Sequence, residues 1–224
     1  DIFFVISGYL ISKLILKEIV NTKKFNLKKF YERRARRILP ALVFVIIVTL
    51  IFSYFILLPT SFDGFARSAI ASLGFLSNYY FYFSGQEYAS ESGLLKPLLH
   101  TWSLSVEEQF YITFPILMIF FYNFKRISLF KFILILFFIS IIFAEYLSAK
   151  NEMLNFYTLP TRAWELLIGT LVAIFELKKI KNKSLILSDV CVLLGLTTIF
   201  LSFIFYDESI AHPTYRSLPP VIGT

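Results

Sequence analysis

Ile38-Leu39-Pro40-Ala41-Leu42-Val43-Phe44-Val45-Ile46-Ile47-Val48-Thr49-Leu50-Ile51-Phe52-Ser53-Tyr54-Phe55-Ile56-Leu57-Leu58 runs without a single charged side chain. A helix needs about 20 mostly apolar residues to cross the hydrocarbon core of a bilayer. This stretch is long enough, and comparable stretches recur. They are Asp1 to Leu16 (opening mid-helix), Gln109 to Tyr122 extended backward, Ile127 to Leu147, Phe156 to Phe175, and Leu185 to Tyr206. The chain is 57% hydrophobic, with 27 Phe and 13 Tyr, and its mean hydropathy is +0.71. A water-soluble core of this size does not need so much apolar surface. The stretches are continuous, without the alternating ten-residue pattern of a β-barrel. The expected fold class is therefore all-α, a polytopic helical membrane protein with about six spans.

Phe62 to Phe83 is different. It carries Asp63, Arg67 and Asn78 among its apolar residues. Lys and Arg in short loops favour the cytoplasmic side, and the basic residues decide how this stretch is read. Lys13, Lys17, Lys23, Lys24, Lys28, Lys29, Arg33, Arg34, Arg36 and Arg37 mark Lys13 to Arg37 as a cytoplasmic loop. If residues 62–83 crossed fully, Lys125-Arg126 and Lys178 to Lys183 would both lie outside. If they turn back, both basic groups lie inside. A re-entrant or interfacial segment near 62–83 is therefore expected, with its backbone shielded by protein or a wet cavity.

His100-Thr101-Trp102-Ser103-Leu104-Ser105-Val106-Glu107-Glu108-Gln109-Phe110-Tyr111 puts a histidine and two adjacent carboxylates at the mouth of a span. The uncharged run after it is too short to cross alone. The helix must recruit residues from about Ser103, which carries Glu107 and Glu108 to membrane depth. In the same way the helix containing Leu166 to Phe175 must include Arg162 and Glu165, which are three apart and can pair on one face. Ionisable groups in such places are costly and usually have a job. Alternation of the spans places Asp1, His100, Glu107, Glu108, Arg162 and Glu165 toward the outer side. The basic loop falls on the inner side, so the polar groups form two sites on opposite faces.

Plainer readings compete. Ser105-Val106-Glu107-Glu108 fits a capping box. Arg162 with Glu165 fits a structural ion pair. Trp102 and Trp164 fit interface anchors, and Cys191 fits inert packing. Arg33-Arg34-Ala35-Arg36-Arg37 fits a topology signal touching lipid headgroups. Its sharper reading is a phosphate clamp, because guanidinium groups hold phosphate oxygens bidentately. No metal site is expected, since His100 and His212 lack ligand-like spacing. No nucleic-acid partner is expected either.

Asp1-Ile2-Phe3-Phe4-Val5-Ile6-Ser7-Gly8-Tyr9-Leu10-Ile11 resembles a signature of the membrane acyltransferase 3 family, the OafA/YrhL-like O-acyltransferases. Three further blocks agree in order: Phe30 to Pro40, His100 to Tyr111, and Arg162-Ala163-Trp164-Glu165-Leu166 with Gly169. The resemblance implies a multi-pass enzyme of the bacterial inner (plasma) membrane. Such an enzyme takes an acyl group, commonly acetyl, from cytoplasmic acetyl-CoA. It passes that group to a hydroxyl of an envelope polysaccharide or lipopolysaccharide such as O-antigen, or of a lipid-linked sugar. The family's arginine block serves the CoA side, which maps onto Arg33, Arg34, Arg36 and Arg37.

The resemblance also implies that residues 1–224 are a partial acyltransferase 3 transmembrane domain, truncated at both ends and without a soluble domain. The family's essential arginine-to-histidine motif lies upstream of the aspartate matching Asp1. His100 is then a supporting residue, and these 224 residues are expected to be inactive alone. Glu107 or Glu108 would orient the family's histidine or take the proton of the sugar hydroxyl. Oxyanion donors are not identifiable from the residues. The alternatives are a transporter or flippase of lipid-linked sugars and a scaffold held on anionic lipid.

Overall fold

The computed structural model describes residues 1–86, 96–123, 128–178, 185–206 and 212–224. Among these residues the regular structure is helical throughout. In chain order it comprises α1 (Ile2–Thr22), α2 (Leu27–Ile56), α3 (Pro59–Leu73), α4 (Ser77–Gly85), α5 (Thr101–Asn123), α6 (Leu129–Ser148), α7 (Glu152–Tyr157), α8 (Leu159–Lys178), α9 (Leu185–Phe205) and α10 (Leu218–Gly223). The stretches Leu27–Ile56, Thr101–Phe121 and Leu129–Ser148 are each long and apolar enough to cross a membrane. Their outward faces are apolar: Phe44, Phe52, Phe55 and Ile56 on α2 and Ile139 and Ile142 on α6 are all more than half exposed. That pattern suits contact with lipid and makes this an all-α membrane protein.

The long basic loop expected between the first two spans is not there. α1 continues to Thr22, Lys23 turns the chain with φ 57°, and Asn26 already caps α2 by accepting from Lys29 N at 3.0 Å. The basic residues belong to helix ends. Helix propensity explains this, because Lys, Arg and Glu are good helix formers and nothing in Leu27 to Arg37 breaks the pattern.

The described residues form two compact units, residues 26–113 and residues 1–25 with 114–224. In the first, residues 62–83 do not make one helix. α3 and α4 are about 22 and 14 Å long at 1.5 Å per residue, each short of the about 30 Å hydrocarbon core. They are separated by Gly74, Phe75 (φ 54°) and Leu76. α5 shields this break. Thr101, Ser105 and Gln109 recur every four residues and so share one face. Thr101 Oγ1 lies 2.8 Å from Ser72 Oγ, and Ser105 Oγ lies 2.7 Å from Ser77 Oγ. Gln109 Nε2 donates to the Phe75 carbonyl and to Asn78 Oδ1, both at 2.9 Å. This hydrogen bonding is what a non-helical turn at membrane depth requires.

The capping-box reading of Ser105 to Glu108 is overturned by the same helix. α5 starts at Thr101, so Ser105 and Glu108 lie inside it. The Ser105 hydroxyl serves Ser77, whose backbone N also donates to it at 3.3 Å.

In the other unit α1 and α8 run parallel. Asp1 meets Arg162 at one end, and Lys13 meets Glu176 further along. Their backbones nearly touch. A Cβ added at Gly8 would lie 1.9 Å from the Leu166 carbonyl oxygen, and one at Gly169 would lie 2.1 Å from that of Val5. Small residues permit such contact between membrane helices, where close packing replaces the hydrophobic drive. Ser12 and Thr170 add a buried hydroxyl pair at 2.8 Å. α6 covers α8: Ser140 Oγ donates to the Pro160 carbonyl at 2.6 Å and accepts from Trp164 N at 2.9 Å.

Two plainer readings fail in this unit. Trp164 is fully buried, edge-on to Phe137 and in a cluster with Val5, Ala144 and Val221, so it is core rather than an interface anchor. Cys191 is exposed on α9 rather than packed, because the apolar environment around α9 calls for outward apolar residues. The Lys125-Arg126 pair and residues 179–183 lie outside the described residues.

Candidate active site

Two polar clusters are built into the membrane helices. The first belongs to residues 26–113. Glu107 and Tyr111 are one turn apart on α5, and the Tyr111 hydroxyl donates to Glu107 Oε2 at 3.0 Å. The Arg34 guanidinium lies over the Tyr111 ring, 4.2 Å from its centroid. Nearby, the Tyr31 hydroxyl donates to the Ile112 carbonyl at 2.7 Å, tying α2 to the same turn of α5. Glu108 stands beside this chain at 5% exposure, with Oε1 buried and without a hydrogen-bond partner. It lies within electrostatic reach of both Arg34 and Glu107.

This geometry corrects the two-sided arrangement. Tyr111 is in the middle of the 23-residue α5, and Arg34 meets it there. The arginine block and the carboxylates therefore share one place, at least through Arg34. The reason lies in α2, whose helix begins at Leu27 and carries Arg34 up to the level of Tyr111. An arginine in a flexible loop would have no such fixed height.

The four arginines divide. Arg33, Arg36 and Arg37 are exposed and fall within an arc of about 100° at 3.6 residues per turn. Arg36 pairs with Glu32 at 2.8 Å, both well exposed. Arg34 lies about 60° further round the helix and is half-buried. An exposed face of closely spaced guanidinium groups fits a ligand carrying several phosphates. Arg33 and Arg37 lie one turn apart on that face.

His100 is exposed ahead of α5, and its carbonyl accepts from Ser103 Oγ at 3.1 Å. About 10 Å of helix rise separates it from Glu107. The structure does not bring its ring into the cluster.

The second cluster lies at the start of α1 and α8. Arg162, at 3% exposure, donates to Asp1 Oδ1 at 2.8 Å, to Glu165 Oε1 at 3.3 Å and to the Phe156 carbonyl at 3.1 Å. Its guanidinium also lies 4.6 Å from the Phe156 ring centroid. The pairing of Arg162 with Glu165 is as expected from their spacing. Asp1 joins because the parallel packing of α1 on α8 brings it there. Breaking a buried pair of this kind costs about 3–5 kcal/mol, since the remaining charge is left uncompensated. His212 follows α9, with Nδ1 2.9 Å from Ser217 Oγ. Burial, and after it the nearby Arg162 cation, push its imidazole below the usual range.

A further polar set escapes sequence reading. Tyr9 donates to Glu176 Oε2 at 2.6 Å, and Lys13 donates to Glu176 Oε1 at 3.0 Å. The four-residue spacing of Tyr9 and Lys13 on α1 holds no clue that α8 would bring Glu176 to them. The Thr101, Ser105 and Gln109 face was missed as well, although its four-residue recurrence was available as a signal. Among the described residues no group of three or more potential metal ligands occurs.

Comparison with known proteins adds to this geometry. O-acetyltransferase OatA of Staphylococcus aureus (strain NCTC 8325 / PS 47) is 35% identical over 218 residues, covering 93% of this chain and 36% of that protein. Peptidoglycan O-acetyltransferase OatA of Listeria monocytogenes serovar 1/2a is 35% identical over 177 residues, covering 77% and 28%. A Haemophilus influenzae protein of unstated function is 37% identical over 210 residues, covering 91% and 84%. The chain thus spans about a third of the length of the first of these relatives. No solved structure matches it. The family described as Acyltransferase domain matches residues 1–224 from end to end, and with four ordered sequence blocks and a carboxylate site on a membrane helix, the chain belongs to that acyltransferase family.

Proposed function

We propose that the protein containing this chain transfers an acetyl group from acetyl-CoA to a hydroxyl of an envelope polysaccharide. In this reading it is a multi-pass protein of the bacterial inner membrane. The observation that carries the reading is the meeting of Arg34 with the turn of α5 that holds Tyr111, Glu107 and the buried Glu108. A donor-side arginine and acceptor-side carboxylates then serve one reaction centre. The names of the Staphylococcus and Listeria relatives support O-acetyl transfer, and the Listeria name makes peptidoglycan one acceptor class.

Each residue has a physical role. Arg33, Arg36 and Arg37 would hold the donor's phosphates on their exposed face. The donor supplies an activated acetyl thioester. Glu108 is suited to accept the proton of the attacking hydroxyl, because its buried oxygen lacks any other partner. Tyr111 fixes Glu107 beside it. Asp1, Arg162 and Glu165 hold the start of α1 on α8, which is a structural role toward the acceptor side.

The test is O-acetyl ester content. Peptidoglycan and lipopolysaccharide would be isolated from the source strain with the complete gene, without it, and with it restored. Esters that disappear on deletion and return on complementation support the reading, and their location names the acceptor. Unchanged ester content in both polymers refutes it.

A further inference from the structure

Acyl transfer needs a donor for the negative charge that develops on the acyl oxygen. Arg34 is set apart from its neighbours in the way such a donor would be. Its guanidinium lies over the Tyr111 ring, 4.2 Å from the centroid, which holds it at the turn of α5 that carries Glu107 and Glu108. Among the described residues Arg34 has no ion-pair or hydrogen-bond partner, whereas Arg36 is engaged with Glu32. The guanidinium carries five N–H donors and stays charged. Beside it, Glu108 presents a buried acceptor oxygen that is equally unengaged.

The N–H donors of Arg34 and the buried oxygen of Glu108 thus belong to one site, within electrostatic reach of each other. A ligand filling both would offer an acceptor oxygen to Arg34 and a donor hydroxyl to Glu108. An acyl carbonyl approached by a sugar hydroxyl has that pair of groups.

We infer that Arg34 is a catalytic residue that stabilises the acyl oxygen during transfer, and is not a ligand of the donor's phosphates. The assignment rests on the transferase reading above. As the hydroxyl oxygen attacks the thioester carbon, the new C–O bond forms and the hydroxyl proton passes to Glu108. The carbonyl electron pair moves onto oxygen, facing Arg34. When that pair returns, the C–S bond breaks, and the departing thiolate takes the proton from Glu108. The products are an acetyl ester and a free thiol, with no change of oxidation state. Glu108 becomes neutral as the acyl oxygen becomes negative, so charge moves within the site without adding to it. Arg34 keeps its charge throughout. Low local dielectric makes the attraction of Arg34 for the developing charge stronger than it would be in water.

The test separates kcat from KM in membranes containing the full-length protein. Acetyl-CoA is the donor, and the acceptor is the source strain's envelope glycan extracted from a deletion mutant. Arg34→Gln is expected to lower kcat by about 100- to 1,000-fold, the usual cost of one oxyanion donor. Its KM for acetyl-CoA should stay within about threefold. Arg37→Gln is expected to raise that KM about tenfold, which corresponds to about 1.4 kcal/mol of lost phosphate binding. Membrane abundance of each variant is measured in parallel. If Arg34→Gln fails to accumulate, Arg34→Lys is assayed, which keeps the charge but loses the planar fork; it too should lose kcat at an unchanged KM. An undiminished kcat in the accumulated variant overturns the assignment, whatever its KM. Absence of transfer by the unsubstituted protein refutes the transferase reading itself, whereas an active parent with an equally active Arg34 variant refutes the role of Arg34 alone.

Discussion

His212 is held below its usual titration range by burial and by the Arg162 cation, so the folded protein binds this proton less tightly than the unfolded chain. The unfolded chain therefore takes up more protons as pH falls through about 6.5, and stability falls with it. Thermal unfolding in detergent should show a lower midpoint at pH 5.5 than at pH 7.5. His212→Gln should flatten that slope, and an unaltered slope in the variant would contradict the role assigned to this ring. Residues differ in how far sequence exposes them. Arg162 and Glu165 are three apart, so their pairing follows from helix geometry. Asp1 is 161 positions from Arg162, and no local rule connects them. Trp164 misleads for a physical reason: tryptophan suits interfaces by its polar handle, yet here it fills a gap between α6 and α8.

At the scale of elements, the apolar stretches translate into helices within a few residues, because lipid leaves the backbone no other partner for its polar groups. The boundaries that moved did so for particular reasons. The Lys- and Arg-rich residues after Thr22 extend α2 because they favour helix, whatever their charge says about topology. The break at Gly74 to Leu76 was legible as polar content in residues 62–83, but its partner was not, since Gln109 reaches it from another helix. The contact of α1 with α8 is the least tolerant element pairing. Gly8→Ala places a methyl group 1.9 Å from the Leu166 carbonyl oxygen, so the backbones must separate. Overpacking of this kind costs about 1–3 kcal/mol. The variant should accumulate less in membranes and unfold at lower temperature. Parent-like abundance and unfolding would show that the helices are not in this close contact.

For the whole molecule, the all-α membrane architecture was plain from continuous apolar runs, and the family blocks indicated acyl transfer. The union of Arg34 with the carboxylates was not legible, because topology reasoning sorts charges by side of the membrane and says nothing of how far a helix lifts them. The expected topology itself makes a prediction. With Cys191 replaced, cysteines introduced at Ser90 and at Asn182 should be labelled from opposite sides of the membrane, and labelling from one side would overturn the turned-back course of residues 62–83. The central claim is that the α5 carboxylate site performs the transfer. The most direct measurement is the O-acetyl content of envelope polysaccharide in cells producing full-length protein with Glu108→Gln, at a membrane abundance matched to the parent. A fall of about 100-fold or more is expected, the range associated with loss of a general acid–base group. Parent-level acetylation by a fully inserted Glu108→Gln protein would contradict the account.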